Sequence, residues 1–255
     1  MLRDLSSMIA SPKETDTALE LIYGLLWRVG HSDEWKTAIS VNMLVDFLNQ
    51  HKDNIVKLTL KEFKEFAKYS KPGHPTTARL SSLVRNLQKL VDWPELKTIY
   101  LSLHNLVFDD IMSVATRHNY NSEGGLIDYI SRNHVNLDLF PKIRAQLDNN
   151  KFKILTMPVE NQRDALRGMN DLRFWIEQLK KIGLGWPELN DTQAVYNLAK
   201  PFVIKNILTA FKSSKYYRDV TVNTDLNILK NYYKLNWPEL EVIRKSANSV
   251  EKLDQ

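Results

Sequence analysis

The sequence predicts an all-α protein, an irregular multi-helix bundle of αα-hairpins. Three observations predict it. Apolar residues recur at three- and four-residue steps through most of the chain, the period of an amphipathic helix. Convincing two-residue alternation is rare, and the best strand candidates, residues 152–157 and 218–222, are both short. Only 8 glycines occur in 255 residues, too few for the tight turns of a β-rich fold. Roughly nine to eleven helices are expected.

In chain order, the first stripe is Ala18, Leu19, Ile22, Leu25 and Leu26, and the second is Val41, Leu44, Val45 and Leu48. Each gives a helix one apolar side to bury. Residues 58–91 then read as a helix-turn-helix-like pair. Thr59 and Glu62 have capping-box spacing and open its first helix. Leu60, Phe63, Phe66 and Ala67 form the inward side of that helix, leaving Lys61, Lys64 and Lys68 outward. Ser70-Lys71-Pro72-Gly73-His74-Pro75 breaks it, because two prolines and a glycine do not continue a helix cheaply. Thr76 or Thr77 caps the second helix. Its inward side is Leu80, Leu83, Val84 and Leu87; Arg79, Ser82, Arg85, Asn86 and Lys89 face out.

The tetrapeptide Trp-Pro-Glu-Leu occurs three times, at Trp93–Leu96, Trp186–Leu189 and Trp237–Leu240, each after a periodic apolar segment. Asp92, Gly185 or Asn236 ends one helix and can cap the next, with Glu at capping-box distance and Pro in the first turn. The motif reads as an αα-hairpin turn. Its Trp is expected as a buried corner anchor, in preference to a stacking platform for bases. The copies are 93 and then 51 residues apart, which is not a solenoid period. Residues 117–123, leading into Gly124-Gly125, are polar and turn-rich. They separate two expected helical lobes, 1–116 and 124–255, with a second break possible at 148–151.

Charge carries the functional reading. The formal net charge is +5, but residues 57–89 alone carry +6 and residues 192–218 carry +5, so the remainder is acidic. A basic sector on an acidic body draws polyanions. The expected function is therefore non-enzymatic nucleic-acid binding, of DNA in preference to RNA, in transcription or a related DNA transaction. The second helix of the pair supplies groove-reading types in Arg79, Ser82, Arg85, Asn86 and Lys89, while Lys61, Lys64, Lys68 and Lys71 meet the phosphate backbone. The second stretch interleaves Phe202, Phe211, Tyr216 and Tyr217 with Lys205, Lys212, Lys215 and Arg218, a further phosphate-contacting patch in a basic loop after a helix. The alternative is an α-helical adapter or modulator whose basic sector docks on an acidic protein surface of a larger assembly such as the transcription machinery.

Several chemistries have no signal. There is no cysteine, so thiolate metal sites, disulfides and cysteine nucleophiles are excluded, and a reducing cytoplasmic location is expected. No two of the six histidines stand at helical metal-ligand spacing, and no phosphate-binding glycine loop or nucleophile elbow occurs. No apolar run reaches the ~18 residues of a membrane span. No cofactor, metal or catalytic residue is expected.

Overall fold

The computed structural model describes residues 2–10, 15–31, 40–69, 75–118, 122–160 and 162–251. Among them are thirteen α-helices and no strand. The chain divides into two compact units, Met1–Leu126 and Ile127–Gln255.

The N-terminal unit begins with α1 (Leu2–Ala10), α2 (Thr15–His31) and α3 (Val41–Gln50). Ser40 caps α3 by accepting from the Met43 amide at 3.2 Å. Next come α4 (Lys52–Tyr69), α5 (Pro75–Gln88) and α6 (Pro94–His118). Helix α5 packs against α2, α4 and α6, which buries Leu80, Leu83, Val84 and Leu87 as the periodicity requires.

Three local expectations need correction here. Helix α4 starts at Lys52, seven residues before Thr59. Thr59 is fully buried and its hydroxyl donates to the Ile55 carbonyl at 2.8 Å, so it back-bonds inside the helix and caps nothing. Helix α5 starts at Pro75, which places Thr76 and Thr77 in its first turn. The described part of the polar segment expected as a linker, residues 117–118 and 122–123, is helical, and residues 119–121 lie outside the described residues. Helix α6 runs to His118, and α7 (Ser122–Asn133) takes Gly124 and Gly125 into its first turn. A Cβ at Gly125 would meet the Ile111 side chain at 3.3 Å.

The C-terminal unit continues through a 3₁₀ turn (Leu137–Leu139) to α8 (Pro141–Asn149), α9 (Lys151–Glu160) and α10 (Ala165–Lys181). A second 3₁₀ turn (Pro187–Asn190) leads to α11 (Thr192–Ser213). A π turn (Tyr217–Thr221) then precedes α12 (Val222–Asn231) and α13 (Pro238–Glu251). Both strand candidates are helical: residues 152–157 lie inside α9, and 218–222 fall in the π turn and the start of α12. Pro158 inside α9 leaves the Ile154 carbonyl without its helical amide. The indole N–H of Trp175 on α10 fills that place at 2.8 Å.

The three Trp-Pro-Glu-Leu copies share a tertiary clamp. The indole Nε1–H donates to a side-chain oxygen about forty residues upstream: Trp93 to Asn49 (3.0 Å), Trp186 to Asp148 (2.6 Å) and Trp237 to Asn197 (2.8 Å). The Glu pairs with a lysine three residues after that acceptor: Glu95 with Lys52 (3.1 Å), Glu188 with Lys151 (2.7 Å) and Glu239 with Lys200 (2.7 Å). Hydrogen bonds from Lys151 and Lys200 hold the Glu188 and Glu239 carboxyls below the usual range; for Glu95 its own backbone amide comes first and Lys52 second. All three Trp rings are buried, as corner anchors should be. The capping-box reading of the motif is corrected. Trp itself is the N-cap residue of the second copy, with Pro at the first turn and no side-chain cap, and Glu reaches the lysine.

The first and second copies each close one αα-hairpin: the Asn/Asp-x-x-Lys element opens its first helix (α4 or α9), and Trp-Pro-Glu-Leu seals the end of its second (α5 or α10). In the third copy Asn197 and Lys200 lie within α11, and Trp-Pro-Glu-Leu follows α12, which packs on the π turn and α13. The second and third copies enter the seal through a left-handed residue three positions before the Trp, Gly183 (φ 71°) and Lys234 (φ 59°).

Candidate docking groove

A groove of about 890 Å³ lies along α4, with Ile9 and Ala10 at the end of α1 on its other side. Two parallel rows of α4 line it. Val56, Leu60, Phe63 and Ala67 form an apolar row at steps of four, three and four residues. Lys57, Lys61, Lys64 and Lys68 form a cationic row one residue further on. Helical geometry puts such rows side by side, about 100° apart around the axis. Leu60 and Ala67 are exposed and Phe63 is half-buried; of the side predicted inward, only Phe66 is in the core. That is a correction: the apolar stripe of α4 is split, and its C-terminal part lines an open groove.

The residues expected to touch nucleic acid are placed as follows. Lys61, Lys64 and Lys68 are exposed on the groove, with Lys68 paired to Glu65 at 3.2 Å. Lys71 lies outside the described residues. Arg79 pairs with Glu20 of α2 at 3.0 Å. Ser82, Arg85 and Asn86 are half-buried, because α5 is embraced by three helices. The outward side assigned to them is therefore corrected to a partly covered one, and only Lys89 is exposed. Arg85 lies near His104 of α6, a fully buried ring stacked edge-on against Tyr100 at 4.3 Å. Burial pushes His104 down to about 4, and the guanidinium of Arg85 acts in the same direction.

In the C-terminal unit, Lys205, Lys212 and Lys215 are exposed. Lys205 and Lys212 border a hollow of about 380 Å³ on α11, with Ile204 and Leu208. The side chain of Arg218 lies outside the described residues. The basic loop expected after α11 is short. The Ser214 hydroxyl accepts from the Tyr217 amide at 3.1 Å and starts the next helical segment. Tyr217 then hydrogen-bonds the carboxyl of Asp225, which is buried, and burial raises the pKa of both groups.

The sequence reading missed Ile9 and Val56 as groove walls, and it missed the acceptors of the three clamps. The clamps had a visible signal, an Asn/Asp-x-x-Lys element upstream of every Trp-Pro-Glu-Leu. Among the described residues, no group of three or more His, Asp or Glu could hold a metal ion, and no helix is long and apolar enough to cross a membrane. Compared with known proteins, the chain matches no family model, no curated protein and no solved structure.

Proposed function

We propose that this protein is an α-helical interaction module that holds an acidic amphipathic helix of a partner protein in the groove along α4. The observation that carries the reading is the pairing of rows, Val56-Leu60-Phe63-Ala67 beside Lys57-Lys61-Lys64-Lys68. An apolar row takes the leucine side of a docked helix, and a lysine row beside it selects carboxylates at the rim. Nucleic acid would use the lysines but leave the apolar row without a role, since phosphate contacts need no apolar strip. The half-buried state of Ser82, Arg85 and Asn86 also favours the protein partner.

The test uses a fluorescent stapled helix with leucines on one face and glutamates beside them. The full chain binds it, and binding weakens as salt rises. The double variant Lys57→Glu, Lys64→Glu lowers affinity by roughly tenfold or more, mainly through association rate. Equal binding of a lysine-flanked version of the same helix would overturn the reading. So would failure to bind the acidic helix while duplex DNA binds with steep salt dependence, in which case the groove is a phosphate surface.

A further inference from the structure

We infer that the chain carries this docking surface twice, the second copy lying on α11 of the C-terminal unit, so that one molecule holds two acidic helices. The inference rests on the reading of the α4 groove as a docking site. It comes from superposing the clamps in sequence. Lys52 and Lys200 are the equivalent clamp lysines of the first and third copies. Counting onward from each, Val56 falls on Ile204, Lys57 on Lys205, Leu60 on Leu208, Phe63 on Phe211 and Lys64 on Lys212. Three of the four apolar positions and two of the four lysines recur at the same register; Thr209 and Tyr216 stand at the Lys61 and Lys68 positions, and Lys215 at the Ala67 position. The hollow on α11 is lined by residues whose equivalents all line the α4 groove. Leu60 and Leu208 have nearly equal exposure, 37% and 38%. Lys212 is in the last turn of α11, where the helix dipole favours a cation, but Lys205 is mid-helix and the dipole gives no reason for it.

The second clamp copy indicates what fills such a face. Its equivalents of Val56, Lys57 and Leu60 are Leu155, Thr156 and Val159 on α9. All three are fully buried, and α9 packs against α10 and α11. Asn206 of α11 donates to the Val159 carbonyl at 3.1 Å. Where the face is filled within the chain, the occupant is a helix, and the Lys57 position is the uncharged, buried Thr156, while the Lys61 and Lys64 positions, Glu160 and Arg163, are charged and exposed. Where the face is open, the Lys57 position is a lysine. A buried lysine needs a carboxylate partner, so the helix that fills the open faces is an acidic one.

Isothermal titration of the full chain with the stapled acidic helix tests this. The expected stoichiometry is two helices per chain. Lys57→Glu with Lys64→Glu leaves one site, Lys205→Glu with Lys212→Glu leaves the other, and the fourfold variant binds none. Lys205→Arg with Lys212→Arg keeps both sites. All four lysines are exposed, so circular dichroism and the thermal midpoint stay at wild type. A single site lost only with Lys57 and Lys64 would overturn this inference and leave the proposed function standing. A single site lost only with Lys205 and Lys212 would overturn both the duplication and the role of α4. Self-association in sedimentation that the Lys205, Lys212 variant abolishes would assign the α11 face to a second copy of the chain and overturn the inference.

Discussion

Helices α4 and α9 begin alike and end in opposite surroundings. Both start with the lysine of a clamp, and both bury an isoleucine three residues later, Ile55 and Ile154. Beyond that point α9 disappears under α10 and α11, whereas α4 keeps Lys57, Leu60, Lys61 and Lys64 exposed. The difference separates two jobs within one hairpin. The clamp fixes where the hairpin closes and is common to all copies. The face that follows is free to become core or contact surface, and its charge follows its burial.

The comparison can be broken most forcefully at one equivalent position. Val159 is fully buried, with Gly168 so close that a Cβ there would meet the Val159 backbone at 3.3 Å, and Asn206 bonded to its carbonyl. Val159→Lys places an unpaired charge in that core and should cost ~4 kcal/mol or more. Leu60→Lys and Leu208→Lys, on the open faces, should each cost less than about 1 kcal/mol. Urea unfolding of the three variants measures this. Equal losses at all three sites would mean that α4 and α11 are covered like α9.

Acid sharpens a second contrast, between the units. In the N-terminal unit the folded pKa of His104 is about 4, below its ordinary 6.5. The unfolded chain therefore takes a proton that the folded chain refuses, and stability falls as pH drops from about 6.5 to about 4. The loss is about 3 kcal/mol over that window. In the C-terminal unit, burial raises Asp225. Its folded form binds a proton more readily than its unfolded form, so its contribution grows as pH falls through the raised value. Hydrogen exchange should show the helices around His104 losing protection first, and His104→Phe should flatten that loss. Uniform loss across both units would contradict it.

Periodicity made the helices readable, including the buried side of α5, because a stripe such as Leu80, Leu83, Val84 and Leu87 has one period and one destination. It did not reveal that Leu60 and Phe63 line a groove. Amphipathicity gives the side of a helix that prefers cover, and says nothing about whether this chain supplies it. Arg85 misled for the converse reason. Arginine usually faces water, but α5 has neighbours on three sides and little outer face. The Phe152-to-Met157 alternation misled because six residues are too few to separate a strand from a helix. The repeated Trp-Pro-Glu-Leu was conspicuous as a string, yet its partners lie 44, 38 and 40 residues upstream, with loop lengths that differ between copies.

The clamps themselves allow the finest comparison. The second copy uses a carboxylate, Asp148, where the first and third use the amides Asn49 and Asn197. Its bond is also the shortest of the three, as expected for an ionised acceptor. Removing any acceptor leaves a buried indole N–H without its partner, which costs about 1–3 kcal/mol. Asp148→Ala should fall at the upper end of that range, and Asn49→Ala and Asn197→Ala at the lower. Asp148→Asn should cost under about 1 kcal/mol, because an amide oxygen already does this work in two copies of the same geometry. Thermal unfolding of the four variants gives the order. If Asp148→Asn were as damaging as Asp148→Ala, charge would be what the second clamp needs, and its equivalence to the other two would be limited to shape.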